Sequence, residues 1–269
     1  MKNEKKKMDG DKSALLDLRA LRVLTVLERV AAANQPVSMS QLALRVAIPK
    51  ATLARLLDVL VANDYLSEIP GVRGYIPGPR ATQLATKTLG NSTFRRSCRA
   101  ILGTLVQVLG ETCNLTVLDG DHVMYIERIE TAEPLRMHIE PGTRLPLHCT
   151  AGGKLFLASL SQLDRLDALG RLRLTQMTPR TLTDQRLLSL ELDRLGALGI
   201  GLDDEEFVRG MVGIAVPVCV DSGKMVAALV CHSATARACL TDLILYKPEM
   251  ALAAEKLGTL FGAKMPETS

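Results

Sequence analysis

The chain has 269 residues, 47% of them apolar and 23% charged. That balance excludes a mostly disordered protein, and the length suits two domains of roughly 100–200 residues each. The apolar run Val212 to Val220 is nine residues, well short of the roughly 18 that a membrane span needs.

The start, Met1-Lys-Asn-Glu-Lys-Lys-Lys, is basic with no apolar stretch behind it. It does not read as a secretory signal, so a cytoplasmic protein is expected. Charge is unevenly spread: residues 1–80 hold 13 Lys/Arg against 8 Asp/Glu, whereas residues 81–269 hold 20 against 21. A positive first third is expected to meet a polyanion. The six cysteines contain no C-x-x-C pair. They read as small buried apolar residues rather than as disulfides or a zinc finger. With no Trp, four Phe and four Tyr, a stacking surface for single-stranded nucleic acid is poorly supplied.

In chain order, Leu16, Ala20, Val23, Leu24, Leu27, Val30 and Ala31 recur at three- and four-residue spacing and predict an amphipathic helix. It stops before the turn signal Asn34-Gln-Pro36. Ser38-Met-Ser40-Gln41 fits a capping box that opens a short helix with Leu42, Ala43 and Val46 inward. After a tight turn, Pro49 is placed to begin a third helix, with Leu53, Leu56, Leu57 and Leu60 as its buried stripe. Lys50, Ala51, Thr52 and Arg55 lie near its start, off that stripe. A second helix that presents small, polar and basic residues at its N-terminal end suits entry into the DNA major groove. There Thr52 meets a phosphate or base edge and Arg55 makes a bidentate contact. Ser40 and Gln41 on the preceding helix, and Arg73 at the tip of a small hairpin, are the remaining DNA-binding candidates.

Residues 78–112 have helical tendency, with Gly90-Asn-Ser as a break. Asn114–Leu118 and His122–Ile126 flank an Asp-Gly turn and predict a hairpin. A further strand is expected over Leu135–Ile139, and two more over Val212–Val220 and Met225–Cys231. Helices are expected after Lys154, from Thr183-Asp184 to Gly199, and around Met250 to Leu260. Antiparallel strands with helices at both ends describe an α+β sensor fold.

Three separated motifs then stand in order: Pro49-Lys-Ala-Thr-Leu-Ala-Arg-Leu-Leu57, Gly142-Thr-Arg-Leu-Pro-Leu-His-Cys-Thr-Ala-Gly-Gly-Lys154, and Asp203-Asp-Glu-Glu206 with Gly210 and Ile214-Ala-Val-Pro217. Together they resemble the IclR family of bacterial transcription regulators, over about residues 14 to 262. The resemblance implies a flexible basic start (1–13), a winged helix-turn-helix domain (14–79), a linker helix (80–97), a GAF-like effector-binding domain (98–263) and a tail (264–269). It also implies double-stranded operator DNA, a small organic-acid effector and a second copy of the chain, as a dimer or tetramer, for partners. Carried over position by position, the effector site is bounded by Leu145, Ala151, Gly152, Asp203, Gly213, Val230 and His232. Members that bind very small keto acids have Cys or Ser at the positions of Gly213, Val230 and His232. Their replacement here points to a larger, aromatic or sugar-derived acid.

His148-Cys149 and Cys231-His232 are ligand-type pairs for zinc or for a Cys–His nucleophile. However, neighbours in a strand face opposite ways, which favours structural or pocket-lining roles. Asp203-Asp-Glu-Glu206 is expected at a helix start with Asp203 turned inward, and Lys154 reads as a solvated surface residue. Gly153-Lys154 lacks the upstream glycine of a phosphate-binding loop. The competing function is a cytosolic metal- or Cys/His-dependent enzyme whose N-terminal helices form an interaction module. No catalytic residue, metal or cofactor is expected, because none of the four histidines stands in a nucleophile motif.

Overall fold

Helix caps and turn chemistry set the first unit of the computed structural model, which describes residues 20–31, 33, 35–89 and 92–262. The expected basic start, Leu16, the Gly90-Asn91 part of the break, and the tail lie outside those residues. The chain divides into two compact units between residues 90 and 91.

In the first unit, α1 (20–31) packs Val26 and Val30 into a small core, with Val23 and Leu27 beside them. Leu24 and Ala31, expected on that face, are exposed instead. Positions 23, 26, 27 and 30 are the ones that keep to a single helical face. The capping box of α2 (Met39–Arg45) forms as expected: the Gln41 amide donates to Ser38 Oγ at 3.3 Å, and Gln41 Oε1 accepts from the Ser38 amide at 2.8 Å. Helix α3 (Lys50–Ala62) begins one residue later than expected. Pro49 is its cap, extended at ψ 139°, with no side-chain hydrogen bond. Leu53, Leu57 and Leu60 of α3 meet Leu42 and Leu66 in the core.

Strands β1 (Leu66–Ile69) and β2 (Val72–Pro77) form the hairpin, and α4 (Pro79–Leu89) closes the unit. The turn lies at Pro70-Gly71, so Arg73 stands two residues past the tip, on β2.

In the second unit, six antiparallel strands run in the order β5-β4-β3-β8-β7-β6. They are β3 (Thr112–Asp119), β4 (His122–Ile129), β5 (Arg144–Pro146), β6 (Gly201–Asp204), β7 (Met211–Cys219) and β8 (Met225–Ala234). Alternation gives the sheet two unlike faces. Leu115, Ile214, Val216, Leu229 and Cys231 meet Leu102 and Leu105 of α5 (Ser92–Leu109) and Met250 and Leu257 of α10 (Lys247–Gly262). The short α9 (Leu240–Ile244) adds Leu243 to this core. The opposite face carries Ala215, Ala228 and Val230 under Leu155 of α6 (Ala151–Ser159), Leu169 of α7 (Gln162–Arg171) and Leu188 and Leu192 of α8 (Gln185–Leu198).

Three expectations fail here. Leu135–Ile139 is not a strand. Beside the first half of β4 the edge is taken by β5, which pairs with His122–Met124, and the 135–139 segment is held through side chains instead. The Met137 carbonyl accepts from the Arg128 guanidinium, and Glu130 binds both Arg136 and His138. Asp203 and Asp204 end the edge strand β6 rather than starting a helix, although Asp203 does turn inward. Lys154 is not solvated: it is 1% exposed and forms an ion pair with Glu206. A helix that starts flat against a sheet leaves that lysine no route to water.

Candidate DNA-binding face and effector site

Ser40, Gln41, Lys50, Ala51, Thr52, Arg55 and Arg73 are all exposed. Four of them occupy the first two turns of α3, whose buried side is filled by Leu53 and Leu57, so the other side is free for a partner. Gln41 Oε1 is already used by the Ser38 amide and hydroxyl, which leaves its amide nitrogen as the free group. Arg45, exposed in the last turn of α2, is a further cation on this unit that sequence reasoning passed over.

In the second unit the seven effector candidates are all buried. Sheet register explains how residues so distant in sequence meet. Asp203 pairs with Gly213, and Gly213 with His232, forming one row across β6, β7 and β8. The next row on that face runs from Gly201 through Ala215 and Val230 to Asn114 on β3 and Arg128 on β4. Ala151 and Gly152 form the first turn of α6, whose cap is Thr150: its hydroxyl accepts from the Gly153 amide at 3.2 Å. Gly152 is required by close approach, since a β-carbon there would lie 3.0 Å from Thr116 Oγ1 and 3.3 Å from Val230. Leu145, on β5, belongs to the same apolar cluster as Ala151 and Val230.

Electrostatics at the row are unusual. Asp203 Oδ1 accepts from the Glu206 amide at 2.8 Å and the Phe207 amide at 3.3 Å. Burial nevertheless pushes its carboxyl up to about 7, against those amides and Lys154 and with the help of the Glu206 charge. Burial, with the Arg128 charge second, holds His232 down at about 3, so its imidazole is neutral at physiological pH. Its Nδ1 meets Asn114 Nδ2 at 2.9 Å, and Asn114 Oδ1 accepts from Arg128 Nη1 at 2.6 Å.

Asn114, Arg128, Lys154 and Glu206 were not among the site candidates. Asn114 and Arg128 carried a weak signal, being polar residues inside strand-like runs.

The Cys/His pairs do not converge as a nucleophile. His232 lies on the face of the Asp203–Gly213 row, whereas Cys231 faces the other core. His148 Nε2 lies 2.9 Å from the Thr175 carbonyl, and burial pushes the neighbouring Cys149 thiol up to about 12. A thiol that stays protonated is a poor nucleophile. Among the described residues no cluster of three or more His, Cys, Asp or Glu side chains is arranged to hold a metal ion, and no helix is long and apolar enough to cross a membrane.

Residues 20–70 match the family model described as the IclR helix-turn-helix domain, and residues 86–259 match that of the bacterial transcriptional regulator IclR C-terminal domain. The chain belongs to the IclR family of bacterial transcriptional regulators. Within that family it is 37% identical over 242 residues to a Cupriavidus necator protein described as probable transcriptional regulator SauR, covering 90% of this chain and 96% of the relative. The fold matches the Thermotoga maritima IclR crystal structure with a TM-score of 0.60 at 23% identity, over 90% of this chain and 98% of that one. A double mutant of the inducer-binding domain of the PobR transcription factor from Acinetobacter, in complex with 3-hydroxybenzoic acid, matches with a TM-score of 0.57 at 29% identity. That match covers 62% of this chain and 98% of the PobR domain. This IclR-family chain therefore combines a DNA-reading helix-turn-helix with an α+β second domain.

Proposed function

We propose that the chain is an effector-controlled transcription regulator that acts in the cytoplasm as a homodimer or tetramer. Residues 14–79 read operator DNA, 80–97 link, and 98–263 sense an organic acid. Thr52 and Arg55 of α3 meet base edges and phosphates in the major groove, with Ser40, Gln41, Lys50, Ala51 and Arg73 around them. The two recognition helices of a dimer address half-sites about one helical turn apart. The effector sits against the row Asp203, Gly213 and His232, bounded by Leu145, Ala151, Gly152 and Val230. Its binding changes operator affinity by about 5–150-fold, equivalent to about 1–3 kcal/mol of coupling.

The observation that carries this reading is the small size of the side chains on one sheet face. Gly213, Ala215, Ala228 and Val230 stand where the opposite face has Ile214, Val216 and Leu229. A core under no other demand fills both faces with large side chains. The Gly, Val and His at 213, 230 and 232 favour a larger acid over a two- or three-carbon keto acid. The PobR domain, with its bound 3-hydroxybenzoic acid, supports an aromatic one.

The test is binding of the full chain to DNA upstream of its own gene and to a random-sequence pool, over a salt series, for wild type and Arg55→Ala. Benzoate, 3- and 4-hydroxybenzoate, glyoxylate and pyruvate are added in turn. Salt-sensitive, sequence-selective binding that weakens in the variant and responds to an aromatic acid supports the reading. No enriched site in the random pool overturns the DNA assignment, and a response to glyoxylate or pyruvate alone overturns the effector class.

A further inference from the structure

A guanidinium can only donate hydrogen bonds, and this dictates a proton position three groups away. Arg128 lies almost wholly buried on β4. Its Nε reaches Glu130 at 3.1 Å and one terminal nitrogen reaches the Met137 carbonyl, which fixes the plane of the group. The remaining terminal nitrogen, Nη1, donates to the Asn114 side chain at 2.6 Å. The Asn114 atom that receives this bond must be its oxygen, so its NH2 group faces His232. The His232 Nδ1 atom, 2.9 Å from that NH2, must then be the accepting lone pair. The single ring proton is left on Nε2.

The Nε2 atom has no hydrogen-bond partner among the described residues, although His232 is only 4% exposed. It lies against Gly213, whose missing side chain gives the ring its room: an ideal β-carbon on Gly213 would be 3.2 Å from Nε2. A donor without an internal partner is available to a ligand that supplies an acceptor. The ring stays neutral, as burial and the Arg128 charge both require.

Resting on the effector-site reading above, we propose that Arg128 and Asn114 are positioning residues that fix His232 as a one-way Nε2–H donor to an oxygen of the effector. The site therefore selects ligands that place a carboxylate, carbonyl or hydroxyl oxygen beside His232 Nε2, and rejects those that place an N–H or ammonium there. Gly213 and His232 act as a matched pair, the glycine clearing the ring's path. A hydroxyl at 213 or 232 would both donate and accept, so it would not impose this polarity.

The test is 15N NMR of the full chain with labelled histidine, which gives four imidazoles, with His232 assigned from the His232→Phe variant. 3-Hydroxybenzoate serves as the probe, followed by the other acids of the panel, and affinity is measured by calorimetry. At neutral pH the free protein is expected to show His232 in the Nε2–H form alone, with that nitrogen shifting when acid binds. His232→Phe keeps the ring and lowers affinity at least tenfold. Asn114→Leu, which removes the NH2 group, is expected to mix the two ring tautomers, a change that lost packing alone does not produce. A proton on Nδ1 in the wild type overturns the proposal. So does acid binding that leaves Nε2 unmoved and His232→Phe at full affinity, with the effector site itself intact. If no acid of the panel perturbs any residue of the Asp203–Gly213–His232 row, the effector-site reading fails, and this proposal fails with it.

Discussion

The His232 imidazole occupies the space that a side chain on Gly213 would need: a β-carbon built there lies 2.8 Å from its Cδ2 atom. Adjacent strands thus carry a residue with no side chain and one whose ring leans across it, in register. Gly213→Ser forces either the strand or the ring to move. A destabilisation of about 1–3 kcal/mol is expected from overpacking, together with loss of the Asn114–His232 hydrogen bond. Denaturant unfolding measures the first effect and the His232 15N shifts the second. An unchanged midpoint and spectrum would contradict the packing described.

Asp203 makes stability depend on pH with an unusual sign. Its folded carboxyl lies at about 7, against an ordinary value of 3.8, with burial as the leading cause. Between those values the folded state holds a proton that the unfolded state has lost, so stability falls as pH rises from about 4 to about 7. The groups acting on Asp203 are Glu206 and Lys154 by charge, and the Glu206 and Phe207 amides by hydrogen bond. Asp203→Asn keeps an oxygen for those amides and removes the titration. The variant is expected to melt higher than wild type at pH 8, by several degrees, with the gap shrinking toward pH 5. Melting curves at four pH values decide it; an Asn variant less stable at pH 8 than at pH 5, relative to wild type, contradicts the assignment.

Lys154 is the cation that makes the buried acids tolerable. It pairs with Glu206 and lies 3.7 Å from Glu191, while Glu206 Oε2 has no hydrogen-bond partner. Removing one partner of a buried pair costs about 3–5 kcal/mol, whereas replacing both with apolar groups is often neutral. Lys154→Met is therefore expected to be severely destabilised, and Lys154→Met with Glu206→Leu to recover most of the loss. A double-mutant cycle by urea unfolding measures the coupling, and simple additivity would show that the pair does not interact.

Arg73 and Thr52 are expected to act differently on DNA. Arg73, exposed on β2, is expected to meet a phosphate, in which case Arg73→Ala weakens binding to all sequences alike and lowers the salt slope by about one. Thr52→Val removes one hydroxyl from the exposed side of α3. It is expected to lose about 1–3 kcal/mol at the preferred site only if Thr52 meets a base edge. Competition between specific and random DNA separates the two outcomes.

Much of the architecture was legible because it depends on neighbours in sequence. The Ser38–Gln41 capping box, the stripe of Leu53, Leu57 and Leu60, and the Asp119-Gly turn between β3 and β4 are all written within a few residues. Three- and four-residue periodicity placed α3, and two apolar segments on either side of the Asp221-Ser-Gly-Lys turn placed β7 and β8. The exposure of the six DNA-binding candidates on α2 and α3 follows from the same logic, since a helix with one apolar stripe turns its other side outward; Arg73 lies on β2 instead.

The effector row depended on partners that spacing does not reveal. Asn114, Arg128, Asp203 and His232 come from four strands and meet only through sheet register, which is set by pairing between segments up to 118 residues apart. Leu135–Ile139 has the alternation of a strand but is held by side chains of β4 and its flank instead of by strand pairing, and alternation alone cannot supply hydrogen-bond partners. Lys154 is likewise read as solvated by its residue type, yet α6 starts flat against the sheet and closes its path to water. Whether a charge is buried is a property of what surrounds it in space. Sequence by itself determined the capped helices and the strands that flank short turns; only the tertiary structure decided which polar groups share a buried face, and so which proton His232 keeps.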